Sequence, residues 1–292
     1  MMMKALAFKV PQAATESFRL QEDDVPHFYD RLHHHPELQL TLILSGHGTQ
    51  LVGDSIQAFQ AGDLLLIGAH LPHVFRNAEV FYHEASPLRA KAISVFFSPQ
   101  SFGEGFLDLP EALALRELLR QAGRGIRIKG ELRQRLVPQL HSLAEYRGFR
   151  RLLSLLSMLH DIASAPESLE LLSSIRFEGS IELAAEQDLK AVLQYVMDHY
   201  HRAITLSEVA AVANRSVSAF CRYFKLHTRK TFVRFLNEVR VGAACRLLGE
   251  QGMHISEISY AVGFQNLSNF NRQFRGIKGM TPTEYLRVIK GE

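Results

Sequence analysis

The chain has 292 residues, 47% of them hydrophobic, with 33 Lys and Arg against 30 Asp and Glu. That length supports about two cores. No apolar run approaches the ~20 residues of a membrane span, residues 1–10 lack a signal-peptide pattern, and only Cys221 and Cys245 are present, which makes a disulfide framework unexpected.

A cytoplasmic protein without membrane association is therefore expected. Its charge is uneven. Residues 186–292 hold 15 Lys and Arg against 9 Asp and Glu, a balance of +6, while the rest of the chain stands at −3. The basic part is the one suited to face phosphate.

Residues 1–105 alternate apolar and polar side chains in short runs at 38–44, 49–52 and Leu64–Ile67, broken by Gly and Pro, which predicts an all-β unit. From about Glu111 the spacing turns helical. Ala112, Leu115, Leu118 and Leu119 mark one face, as do Leu132, Leu136, Leu140 and Leu143, and then Leu152, Leu155, Leu156, Leu159 and Ile162. Pro138 is expected to kink the middle helix. We read 106–165 as a helical coupling or dimerisation region and the less regular, acidic stretch 166–185 as a linker.

Residues 186–292 state one pattern twice. Leu206-Ser-Glu-Val209 returns as Ile255-Ser-Glu-Ile258, and Phe220, Arg222, Phe224 and Lys225 return as Phe270, Arg272, Phe274 and Arg275. Each unit is an apolar helix, a tight turn and a second helix that pairs apolar with basic residues, the layout of a helix-turn-helix DNA reader. Thr205 and Glu208 have capping-box spacing. Asn214 and Gly263 stand at matching places in the two turns, and both residue types accept positive φ. Ser216 and Asn266 are placed to cap the helices that follow. Phe220 and Phe224, like Phe270 and Phe274, face the core, so Arg222 and Arg272 point elsewhere. Phe232, Phe235, Leu236, Val239, Ala243 and Leu247 form one stripe, so 231–250 reads as a connecting helix ~30 Å long, near one turn of duplex. Thr281, Pro282 and Glu284 open a closing helix.

The stretch Ala261-Val-Gly-Phe264, Ser268, Phe270, Arg272, Phe274, Arg275, Gly279, Thr281, Pro282, Glu284, Tyr285, Leu286 and Arg287 resembles the AraC-type family of bacterial transcription regulators, over roughly residues 190–290. The resemblance implies that Ser218, Cys221 and Arg222 face the DNA groove in the first reader, and Leu267, Ser268, Asn271 and Arg272 in the second, with Lys225 and Arg275 beside them. Cys221 departs from the polar residues often found at its place.

Upstream, His33-His-His35-Pro-Glu-Leu-Gln39 with Gly46, and Gly62-Asp63 with His73-Val-Phe-Arg-Asn77, resemble the two signature segments of the cupin barrel. In metal-binding cupins these segments gather ligands inside the barrel. His33, His35 and His73 fit those places, but Gln39 stands where the acid would be, and an amide holds a divalent cation less well than a carboxylate. No cofactor is expected, and the alternative metal set is His33, His35, Gln39 and His73. Glu37 lies close by, in a register that Pro36 leaves open. We expect the same four residues to line a pocket for a small polar effector, such as a sugar.

The expected fold class is α+β: a cupin-like barrel (1–105) followed by helices, then an all-α domain (186–292) with two helix-turn-helix units joined by a long helix. The expected function is a ligand-responsive, sequence-specific transcription regulator and not an enzyme. Its expected partners are double-stranded promoter DNA, a small effector and a second copy of the chain, with RNA polymerase as a further candidate. The alternative is a metal-dependent cupin enzyme, an isomerase or oxygenase, fused to a DNA-binding domain.

Overall fold

The computed structural model describes residues 16–173, 183–228, 230–249 and 253–290. Strands β1 (Arg19–Val25), β2 (Leu38–Ser45), β5 (Leu64–Ile67) and β7 (Ala90–Phe97) pair antiparallel in the order β1-β7-β2-β5. The far edge of this sheet continues through β8 (Ile126–Ile128) and β9 (Leu169–Leu171). A second antiparallel sheet has the order β4-β3-β6, from β3 (Gly48–Val52), β4 (Ser55–Phe59) and β6 (His73–Asn77).

The larger sheet is covered on both faces, and the period of two along its strands assigns each side chain to one of them. Leu38, Leu40, Leu42, Leu64, Leu66, Val95 and Phe97 form a core with helices α1 (Leu113–Ala122), α2 (Gly130–Glu145) and α3 (Gly148–Ala163). Ile43, Leu65, Ile67 and Ala92 join a different core, which holds the second sheet. Gln39 and Thr41 alternate onto this inner side with Ile43, which explains how polar residues come to be buried in so apolar a strand.

The leucine stripe of α2 is buried as its spacing predicts, while on α3 Leu155, Leu159 and Ile162 are buried and Leu152 and Leu156 only half-buried. α2 runs as one helix through Pro138. Pro138 is exposed, so the carbonyl deprived of its partner one turn earlier can be served by water. The boundaries expected at 105 and 166 do not coincide with the edge of the sheet. β8 lies inside the expected helical region and β9 inside the expected linker, because three-residue strands are too short to show a period. Residues 174–182 of that linker lie outside the described residues.

Helices α4 (Leu183–His199), α5 (Leu206–Val212), α6 (Val217–Thr228), α7 (Phe232–Gly249), α8 (Ile255–Ala261), α9 (Leu267–Lys278) and α10 (Pro282–Lys290) complete the chain. The Thr205 hydroxyl accepts from Glu208 N at 3.2 Å, and the Glu208 carboxylate accepts from Thr205 N at 2.6 Å. The Thr205 N–H and the Arg202 guanidinium, which donates to the same carboxylate at 2.9 Å, hold the Glu208 carboxyl down at about 2. Thr281 and Glu284 repeat the box at α10, and Asn266 caps α9 by accepting from Asn269 N at 2.8 Å. Asn214 has φ 52° and Gly263 φ 90°. A Cβ at Gly263 would stand 2.3 Å from the Tyr200 carbonyl oxygen, so this turn needs glycine for space as well as for conformation.

Two substitutions separate these requirements. Gly263→Ala is expected to lower stability by more than ~2 kcal/mol, since backbone has to move. Asn214→Gly is expected to change it by less than ~0.5 kcal/mol, since the αL conformation is kept. Urea unfolding of the full chain measures both.

Candidate effector pocket and nucleic-acid interface

The pocket begins with a break in a strand. His33 and His73 form an isolated antiparallel bridge, His33 N to His73 O at 3.1 Å and His73 N to His33 O at 2.9 Å. The chain then bends at Pro36 and Glu37 before β2 starts, so His35 and Gln39 do not belong to one regular strand. They meet nonetheless: His35 Nε2 lies 3.1 Å and His73 Nε2 3.2 Å from Gln39 Oε1.

In all three rings Nδ1 faces a backbone carbonyl. His33 Nδ1 is 2.9 Å from Arg31 O, His35 Nδ1 2.9 Å from Glu37 O and His73 Nδ1 2.8 Å from Leu71 O. A carbonyl only accepts, so Nδ1 carries the proton and Nε2 is left with its lone pair. Burial keeps the rings neutral. It lowers His33 to about 4, His73 well below the ordinary histidine value, and His35 in the same direction.

Acceptors therefore converge: two imidazole lone pairs point at one amide oxygen. Two arrangements satisfy them. With the Gln39 amide turned over, its NH2 donates to both nitrogens and its oxygen accepts from Thr41 Oγ1, 2.6 Å from the other amide atom and 2.9 Å from Ser94 Oγ. With the amide as it stands, a bound cation would satisfy them. The ligand atoms of His33, His35 and His73 lie within 4.8 Å of one another, so these imidazoles fit a borderline divalent ion, which would act there as a Lewis acid. The open question of Glu37 is answered by position. Its carboxylate lies 3.6 Å from His35 Nδ1, the ring edge opposite the ligand nitrogen, so it supports the ring rather than replacing the missing acid.

The four expected residues share one cavity of 380 Å³ between the sheets. Sequence reasoning missed much of its lining. Thr41 and Ser94 pair across β2 and β7 and extend the polar floor. Phe28, Phe75 and Phe96 form apolar walls, and Asp23 and Asp30 contribute carboxyl groups. Among the described residues no Lys or Arg lines it. Only Thr41 carried a usable signal, two places after Gln39 on the same strand face.

The readers present a second surface. Phe220, Phe224, Phe270 and Phe274 are fully buried. Ser218, Cys221, Arg222 and Lys225 on α6, and Leu267, Ser268, Asn271, Arg272 and Arg275 on α9, are all exposed. Asn269 Oδ1 accepts from Arg272 Nη2 at 2.9 Å and steadies that guanidinium.

Two outcomes are expected of the pocket. Gln39→Glu should bind Zn(II) at least ~10-fold more tightly than the wild type by titration calorimetry, because it restores the carboxylate beside three imidazoles, and equal affinities would place the ion elsewhere. With divalent ions chelated, stability should fall as pH drops from about 6.5 toward 4. The unfolded chain takes up protons there that folded His33 does not, a slope of at most roughly 1.4 kcal/mol per pH unit for each such histidine. His33→Gln should flatten that slope in thermal unfolding.

Residues 209–288 match the helix-turn-helix domain family, and residues 22–81 match the cupin domain family. An HTH-type transcriptional regulator of Bacillus subtilis, YdeC, is 33% identical over 107 residues, 37% of each chain. The MmsAB operon regulatory protein of Pseudomonas aeruginosa is 30% identical over 42% of this chain and 38% of that protein. The chain spans less than half the length of these two relatives. The probable transcriptional regulator LumQ of Photobacterium leiognathi is 24% identical over 94% of this chain and 98% of that one. Among solved structures, the DNA-binding domain of AdpA in complex with a target DNA shares 26% identity over 36% of this chain and 94% of that one, with a TM-score of 0.34. Through its two family matches the chain is built as an AraC-type transcription regulator is, with a cupin domain followed by an AraC-type pair of helix-turn-helix units.

Proposed function

We propose that the chain is a sequence-specific regulator of transcription that binds double-stranded promoter DNA through α6 and α9 and responds to a small neutral effector in the cupin pocket. The observation that carries this reading is the repeated recognition face. At matching places in two helix-turn-helix units, an arginine is exposed between phenylalanines that are fully buried. A packing role explains the phenylalanines and leaves the arginines free to meet a base edge or a phosphate. α7 spans about 27 Å between the readers, which suits successive major grooves on one side of a duplex.

The pocket's chemistry supports the effector class. Neutral imidazoles, an amide and two hydroxyls form the floor, aromatic rings form the walls, and among the described residues no cationic side chain lines it, so an uncharged hydroxylated molecule such as a sugar suits it better than an anion. A homodimer is supported by α3, where Phe149 is 71% and Leu153 50% exposed, one helical turn apart. RNA polymerase is a candidate partner of the DNA-bound protein. No helix among the described residues is long and apolar enough to cross a membrane.

The test uses duplexes selected by the full chain from a random pool. Arg222→Ala and Arg272→Ala are each expected to weaken binding by ~1–3 kcal/mol and to relax preference at one base position. A loss that is equal on all sequences would assign the arginine to phosphate. No loss on selected or random duplex would remove the recognition faces from the DNA.

A further inference from the structure

The two readers differ in what they rest on. The first shares one continuous core with the cupin domain: Leu51, Ile56 and Val74 of the smaller sheet cluster with Val209, Phe220, Phe224, Phe235 and Val239. The second is built on Val241, Ala244, Leu248, Ile258, Phe270 and Phe274, and among the described residues no cupin residue belongs to that core.

Polar contacts fasten the first reader as well. Asp54, at the β3–β4 turn, has a side chain 1% exposed, and Lys230 Nζ, from the turn between α6 and α7, lies 2.9 Å from its Oδ2. The same ammonium lies 2.8 Å from Glu238 of α7, and Ser173 Oγ donates to Asp54 Oδ1 at 2.6 Å. Leu32 N donates to Gln194 Oε1 of α4 at 2.8 Å, and Arg76 donates to Met197 O at 2.9 Å. Gly242, inside α7, lies where a Cβ would stand 3.1 Å from both the Cγ2 and the carbonyl oxygen of Ile56. A glycine inside a helix weakens it, so its presence at the closest approach fits α7 to this sheet.

These fastenings lie one step from the pocket. Leu32 precedes His33. His73 pairs with Val52, and the next residue, Gly53, donates to Pro72 O at 2.8 Å immediately before Asp54. A change in the spacing of His33, His35 and His73 therefore moves backbone that ends on α4 and on the α6–α7 turn.

We infer that the state of the pocket is transmitted to the first helix-turn-helix unit alone, through Leu32–Gln194 and Asp54–Lys230, and that the second unit reads DNA independently of the pocket. This rests on the proposed function for its meaning on DNA, but the coupling is a property of the folded chain. A ligand regulates only through a difference in affinity between two arrangements; the structure holds the clasp closed, and its opening is the second arrangement that the inference requires.

The test is amide hydrogen exchange on the full chain, perturbing the pocket with Gln39→Ala and the clasp with Asp54→Asn. Gln39→Ala is expected to speed exchange in α4 and α6 by at least about fivefold and to leave α8 and α9 within about twofold of wild type. In the background of Asp54→Asn its effect on α6 should be largely lost. Gly242→Ala is the second clasp variant, since alanine favours the helix and disturbs only the approach to Ile56. Equal responses in both units, or no response in α4 and α6, would overturn the inference. On a selected duplex, Asp54→Asn should alter hydroxyl-radical protection over one half and leave the other unchanged. Failure of the wild type to select any duplex would remove the proposed function, and the exchange result would still decide the coupling.

Discussion

The close approach of α7 to the smaller sheet is the constraint on which the rest of the architecture depends. That sheet has three strands, and a sheet so small holds its shape when both faces are covered. Its inner face closes over the pocket against the larger sheet, and its outer face is closed by the first reader. Ile56 is buried where α7 crosses β4, and α7 lies there because Gly242 leaves room. The pocket wall that carries His73 and Phe75 and the surface that seats the first reader are thus two faces of one thin layer. The cupin domain and the first helix-turn-helix unit are not beads on a linker. They share side chains.

Burying Asp54, Lys230 and Glu238 at such a junction carries a desolvation cost that apolar residues would avoid. What the ions supply is a fixed position: Asp54 is held from one side by Ser173 and from the other by Lys230, so the β3–β4 turn meets the α6–α7 turn in one register. The same logic governs the pocket, where three carbonyls fix three imidazole rings by their Nδ1 protons. In both places buried polar groups orient neighbours, and the apolar cores supply the stability around them.

The duplication was legible from the chain because it is local. Capping residues, the Asn214 and Gly263 turns and the phenylalanine pairs each sit a few residues from what they act on, and the structure places each as its chemistry demands. The convergence of His33, His35, Gln39 and His73 was legible through two short segments, although the break at Pro36 meant that no single strand period predicted it. β8 and β9 were not legible, since three residues display no period. The clasp was not legible at all. Asp54 and Lys230 stand far apart in sequence and look like ordinary surface charges in their own segments, and Gly242 reads there as a mild helix defect. Only the tertiary fold gives these three residues their partners.

That contrast bears on why two copies of one reader have diverged. Where the second has Asn269, which steadies Arg272, the first has Ala219, and where the second has Asn271 the first has Cys221. An asparagine side chain can pair with adenine through two hydrogen bonds, whereas a thiol is a weak donor. The second recognition helix therefore holds the richer hydrogen-bonding code and a partly pre-ordered guanidinium. The first recognition helix holds fewer hydrogen-bonding groups on its exposed face, and the unit around it is the one fastened to the cupin domain, through Gln194 of α4 and Lys230 of the α6–α7 turn. A surface that must move with a sensor gains less from rigid base contacts than one that does not, because each specific contact resists displacement. Under the proposed function, the duplication would separate two demands that a single reader would have to satisfy at once: the second copy would anchor the protein on its sequence, and the first would respond.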